Sequence, residues 1–136
     1  MRDAIYHIIR ELREHAHRER IGFLPSSALG GRGGRVDIRI SDAAVKRTLV
    51  DIVVADSTHR DLVERATKHD LVAATDVERR KETHYRDCAA GMKFVPFALE
   101  TYGAFSKRSD RFLVECVTLA SRKCAESGLS ISLLCT

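Results

Sequence analysis

Two short segments constrain this chain more than any other part of it. "RVDIRI", residues 35–40, alternates Val36, Ile38 and Ile40 with Arg35, Asp37 and Arg39, which is the two-residue period of a strand. "TLVDIVVA", residues 48–55, is more continuously apolar and reads as a strand nearer the centre of a sheet. Each carries an acid, Asp37 in the first and Asp51 in the second. A carboxylate in a buried strand is costly unless it is paired, hydrogen-bonded or bound to a cation, so Asp51 needs a partner. The intervening "SDAA" is a turn, and an antiparallel hairpin across it can set Asp37 opposite Asp51, depending on register. Two answers stand level. Asp37 and Asp51 share Mg²⁺, an ion that takes hard oxygen ligands and keeps several waters, or Asp51 makes an ion pair with Arg39 or Lys46.

The remaining segments surround this hairpin with helices. Ala4, Ile5, Ile8, Ile9 and Leu12 recur at helical spacing, so residues 3–18 read as an amphipathic helix. "IGFLPSS" is a brief strand ended by Pro25, and the glycine-rich "LGGRGGR" is a loop. That loop is either a flexible connector or a backbone able to lie against phosphates while Arg32 and Arg35 neutralise them. From Thr58 the pattern turns helical, with Ser57 or Thr58 as N-cap, and runs without proline or internal glycine to Gly91. It is one long helix or two joined near Ala74. "MKFVPFALETYG" resumes strand character, with Pro96 marking an edge or a bulge. "SDRFLVECVTLASRKCAES" is a second amphipathic helix, capped near Ser109, with Phe112, Leu113, Cys116, Leu119, Ala120 and Cys124 on its inner side, and "GLSISLLCT" adds a short strand. The expected fold class is α/β, a small mixed β-sheet flanked by helices in a single domain spanning residues 1–136.

Composition narrows the setting. No apolar run approaches the ~20 residues that span a bilayer, and the N-terminus lacks the apolar core and cleavage site of a secretory signal. The expectation is an intracellular protein, neither secreted nor membrane-bound. Cys88, Cys116, Cys124 and Cys135 form no C-x-x-C pair, which favours free thiols over zinc ligands. A net charge of +4 and a pI near 9.0 permit a polyanionic partner without demanding one.

The helical stretch "ERRKETHYRD" supplies a further candidate. Lys81 and Tyr85 lie four residues apart and share a face with Val77, His84 and Cys88, the side expected to meet the sheet. Either the Lys81 ammonium reaches the carboxylates, where it would orient an attacking water and offset phosphate charge, or it snorkels along apolar surface. Glu11 reads as a surface acid, and Glu100 as a residue that caps the next turn or braces the site from outside.

The order "RVDIRI", "LVDIVVAD", "KETHY" resembles the restriction-like endonuclease domain that follows the reverse transcriptase in site-specific non-LTR retrotransposons, a branch of the PD-(D/E)XK superfamily. In that family a Pro-Asp pair opens one strand, a second Asp sits in a Val-Asp-Val type strand, and the lysine has moved into a following helix with the pattern K-x-x-K-Y. On this chain the motif maps to Asp37, Asp51, Lys81 and Tyr85, with Val36 in place of the proline and His84 in place of the second lysine. "FVPFALETYGAFSK" is similar to a segment found after the nuclease motifs, which carries the resemblance over residues 35–125. The resemblance implies a restriction-endonuclease-like fold and a DNA endonuclease dependent on Mg²⁺ (or Mn²⁺), with Asp37 and Asp51 as metal ligands and Lys81 as the third catalytic residue. It implies support from Tyr85 and His84, nucleic-acid contacts from Arg32, Arg35 and Arg39, no small-molecule cofactor, and a nuclear location if the host is eukaryotic. A homodimer is compatible with it, since endonucleases that make paired nicks often dimerise, although no sustained heptads mark such an interface. The alternative is a catalytically degenerate relic of the same fold, acting as a nucleic-acid-binding or protein-interaction module.

Overall fold

The computed structural model describes residues 2–12, 16–18, 36–41, 47–86 and 91–126. Along the chain run α1 (Arg2–Leu12), β1 (Ala16–Arg18), β2 (Ile38–Ile40), β3 (Thr48–Ala55), α2 (Arg60–Ala66), α3 (Val72–Tyr85), β4 (Lys93–Glu100) and α4 (Lys107–Glu126). The strands form one sheet in the order β1-β2-β3-β4. The expected hairpin is present: β2 pairs antiparallel with β3, Ile38 opposite Val50 and Ile40 opposite Thr48. β1 pairs antiparallel with β2, whereas β4 runs parallel to β3. A tight turn cannot join parallel neighbours, so the chain crosses between β3 and β4 through α2 and α3. The architecture is a small mixed α/β fold.

Alternation along β3 divides the interior in two. Val50 and Ile52 join Ile38, Ile40, Val95, Phe97 and Leu99 against Ile5 and Ile9 of α1 and Phe112 and Cys116 of α4. Leu49 turns to the other face, where it meets Val36, Phe94 and Tyr85 of α3. Helices therefore cover both faces, which explains why "TLVDIVVA" reads as one unbroken apolar run. On α4 the expected inner side is the observed one, with Phe112 and Cys116 buried and Leu113, Leu119, Ala120 and Cys124 half-buried. The α1 stripe is narrower than expected, since Ile8 stays 48% exposed. Cys116 and Cys124 are free thiols, and Cys88 and Cys135 lie outside the described residues. No helix among the described residues is long and apolar enough to cross a membrane.

Several boundaries differ from the sequence reading for identifiable reasons. The first helix stops at Leu12, and residues 16–18, expected within it, pair instead with β2, so strand pairing overrides a helical periodicity that fades after Leu12. The long helical region is two helices, broken by a turn that ends at Leu71 with φ +60°. Its first cap is His59 rather than Ser57 or Thr58, because Asp56 Oδ1 already accepts from both the Thr58 amide (2.9 Å) and the Thr58 hydroxyl (2.6 Å). α3 ends at Tyr85, and Gly91, at φ +81°, forms the turn into β4. The expected strands in "IGFLPSS" and "GLSISLLCT" and the loop "LGGRGGR" fall outside the described residues.

At the outer edge of β4 two serines bind main-chain groups beside the Leu99–Phe105 bridge. Ser106, not Ser109, caps α4: its Oγ accepts the Ser109 amide at 3.0 Å. Ser109 instead turns inward, fully buried, where its Oγ accepts from the Ala98 amide at 2.8 Å and donates to the Ala98 carbonyl at 2.9 Å. The Ser106 amide also donates to that carbonyl at 3.0 Å. Ala98 thus directs its main-chain groups outward, and by the two-residue period Pro96 does the same, so its missing N–H removes no bond to β3. Phe97→Ala is expected to cost about 3–5 kcal/mol in urea unfolding, because its ring is fully buried between the sheet and α4. Ser109→Ala is expected to cost about 1–3 kcal/mol by the same measurement, since it leaves the buried Ala98 amide without its acceptor.

Candidate functional site

Asp37 lies one residue before β2, and it grips β3 with both its main chain and its side chain. Its amide donates to the Val50 carbonyl at 3.0 Å, and its Oδ2 accepts from the Ile52 amide at 2.9 Å. Val50 and Ile52 flank Asp51. Where the β2 ladder gives out, the Asp37 carboxylate stands in as the acceptor for β3 and comes within hydrogen-bonding reach of the Asp51 carboxyl. Both acids are buried, Asp37 at 7% and Asp51 at 5% exposure.

Asp51 shares its face of β3 with Leu49, so it points towards α3. From α3, Lys81 reaches down and places Nζ 2.7 Å from Asp51 Oδ2, its side chain one-third exposed. The partner of Asp51 is therefore Lys81 rather than Arg39, and Lys46 lies outside the described residues. The lysine does not simply snorkel. Burial raises the Asp51 carboxyl above its ordinary 3.8, the Lys81 contact pulls it back down, and the neighbouring Asp37 raises it again. Tyr85, buried at 4%, packs on Phe94 with ring centroids 4.8 Å apart, and its ring centroid lies 5.7 Å from Lys81 Nζ, within range of a cation–π contact.

The other expected residues divide. His84, expected on the side that meets the sheet, is instead exposed, because the helix turns it outward while the adjacent Tyr85 faces the core; its ring lies edge-on to Tyr85 at 4.9 Å. Arg39 is half-buried in the middle of β2 opposite Leu49, and alternation with Ile38 and Ile40 sets it on the sheet face that carries Asp51. Arg32 and Arg35 lie outside the described residues. Glu11 is exposed on α1. Glu100 braces from outside: its Oε1 accepts from the Ala74 amide at 3.4 Å, at the start of the helix that carries Lys81.

A second support for α3 was missed from the sequence. Glu78, one turn before Lys81, accepts a short hydrogen bond from the Ser106 hydroxyl, which in turn joins the Ser109 and Ala98 network. Arg108 of α4 also pairs with Glu82 of α3. The spacing of Ser106 and Ser109 ahead of an apolar run was the available signal for a cap in "FSKRSDRF".

A crevice of about 590 Å³ opens at the end of β3 between α2 and α3, lined by residues that include Val54, His59, Leu62, Val77, Arg79 and Arg80. It contains none of Asp37, Asp51 and Lys81. Of its acids, Asp76 is paired with Arg65 at 2.7 Å, Asp56 accepts from Thr58, and Asp61 is exposed to solvent beside His59, so the buried carboxylate pair is the stronger candidate for chemistry. Among the described residues no group of three or more His, Cys, Asp and Glu side chains gathers as a metal site. The donor set is two adjacent carboxylates, which suits a hard divalent ion that keeps most of its waters.

Comparison with known proteins finds no family model, no curated protein and no solved structure that matches the chain.

Asp37→Ala is expected to destabilise the fold by about 1–3 kcal/mol in urea unfolding, because the Ile52 amide loses its acceptor, while Asp37→Asn, which keeps an oxygen there, loses less. Glu78 gives a pH test of the α3 support. Burial raises its carboxyl above the ordinary 4.5, against the opposing Ser106 hydrogen bond and Arg108 charge. A raised folded-state pKa gives stability that is full below the unfolded value and falls as pH rises through the folded one. Glu78→Gln lacks that fall, so urea midpoints should show the variant gaining on the wild type as pH rises above the ordinary 4.5 of a glutamate.

Proposed function

We propose that this chain is a PD-(D/E)XK-like nuclease domain of retroelement origin, hydrolysing DNA phosphodiester bonds with the help of Mg²⁺ or Mn²⁺. The observation that supports it is the meeting of Asp37, Asp51 and Lys81 at one buried point, from the end of one strand, the centre of the next and a helix some 30 residues on. These are the residues on which the sequence motifs fall.

In this reading Asp37 and Asp51 hold the divalent ion, which supplies Lewis acidity and an acidified water when bound. Asp37 is fixed by the Ile52 amide, so one carboxylate of the pair is preorganised before substrate arrives. Lys81 presents a cation beside the same carboxylates, where it offsets charge on the phosphate undergoing attack. Tyr85 holds the flank of Lys81 and, being buried, does so from within the core. Arg39, half-buried on the same sheet face, is the phosphate contact this reading assigns to β2. Arg32 and Arg35 are further phosphate contacts in this reading, and contacts of this kind make binding salt-dependent.

The test is nicking of supercoiled plasmid with Mg²⁺ or Mn²⁺. The wild type is expected to nick only with metal, and Asp51→Ala and Lys81→Ala to lose about 100-fold or more of the rate. A folded wild type that nicks under no metal or salt condition, yet retains plasmid in a mobility shift, would replace this reading with that of a binding module built on the same fold.

A further inference from the structure

We infer that Lys81 is an internal competitor for the divalent ion, so that the cation and the Lys81 ammonium exchange places on Asp51. The inference rests on the metal-site reading above and adds to it a second role for the lysine. Its starting point is the contact itself: Lys81 Nζ sits 2.7 Å from Asp51 Oδ2, closer than a mere neighbour of a metal-binding carboxylate need come. At that distance the ammonium takes up the oxygen directly. A divalent ion approaching the same oxygen meets a like charge in a partly buried site, where screening is weak.

The local geometry lets the lysine give way. Asp51 cannot move, since it lies in the middle of β3 between β2 and β4, 5% exposed. Lys81 can, because its side chain is one-third exposed on a flexible four-carbon stem. It also has somewhere to go. The exposed third of the side chain opens to solvent, and the Tyr85 ring, whose centroid already lies 5.7 Å from Nζ in the ion-paired state, keeps the ammonium beside the site as it leaves the carboxylate. The buried acids thus never lack a counter-ion: Lys81 neutralises Asp51 until the divalent ion takes over, and then stands beside the site, where substrate phosphate would be received.

This arrangement predicts an effect opposite in sign to the one on nicking. Removing the charge of Lys81 should tighten metal binding even as it abolishes cleavage. The experiment is calorimetric titration of Mn²⁺ alone, without DNA, into chelator-treated wild type, Lys81→Met, Lys81→Arg and Asp51→Asn. Lys81→Met is expected to bind Mn²⁺ about tenfold more tightly than wild type, a difference of roughly 1.4 kcal/mol. Lys81→Arg, which keeps the charge, should bind no more tightly than wild type, and Asp51→Asn should not bind. If Lys81→Met fails to fold, Lys81→Gln serves, since it keeps a donor to Asp51 without the charge. Asp51-dependent Mn²⁺ binding that is equal or weaker in the neutral variants would overturn the exchange and leave the metal site intact. No Asp51-dependent binding in any variant would overturn both.

Discussion

The ion pair between Asp51 and Lys81 ties the electrostatics of this fold to its topology. Asp51 occupies the centre of a strand with a neighbour on each edge and helices on each face, a place where little water reaches it to offset its charge. Its counter-ion must come from an element lying on the face to which Asp51 points. Because β4 runs parallel to β3, the chain has to cross that sheet, and α3 is the crossing helix. The parallel pairing and the neutralisation of Asp51 are thus met by the same segment. Small residues help it: Ala73 and Ala74 are fully buried at the start of α3 and let the helix lie close to the strands, which brings a lysine two turns later within reach of the carboxylate.

What holds α3 in that position is polar as well as apolar. Its N-terminal turn has no acidic residue and no side-chain cap of its own, and Glu100 at the end of β4 supplies a carboxylate to the Ala74 amide instead. Glu78 is tied to Ser106, and Ser106 through Ser109 to the outer edge of β4. At the far end Tyr85 closes the apolar patch with Leu49, Phe94 and Val36. Lys81 lies between these polar and apolar anchors, so its reach depends on both. A helix held by directed hydrogen bonds has fewer ways to slide than one held by apolar contact alone.

The parts of this arrangement that were legible in the sequence are those governed by short periods. Alternation in "RVDIRI" and "TLVDIVVA" marked two strands and their acids, and helical spacing in "RFLVECVTLA" marked the buried side of α4. The helical face shared by Lys81 and Tyr85 was readable as well, but not whether the ammonium would reach a carboxylate, since that depends on how closely α3 approaches the sheet. β1 was not legible: "AHR" carries no alternation of its own and becomes a strand through pairing with β2. The caps were missed for a related reason. Ser57, Thr58, Ser106 and Ser109 are all competent caps, and the choice among them was made by Asp56 and by the outward-facing Ala98 groups of β4, both set by tertiary structure.

The composition of the site bears on why it exists. A buried ion pair is a poor stabiliser: desolvation of both charges offsets their attraction, and apolar side chains of similar volume often serve a core better. Every other feature of β3 favours such a replacement, since Leu49 and Val50 beside Asp51 are fully buried and well packed. Asp37 compounds the cost by bringing a second carboxylate into reach of the first, which raises Asp51 further from its ordinary ionisation range. Part of that cost serves the fold, since the Asp37 carboxylate accepts the Ile52 amide where the β2 ladder ends. The metal-site proposal would give the remainder a use, because a divalent ion needs the fixed, oppositely charged groups that a stable core avoids.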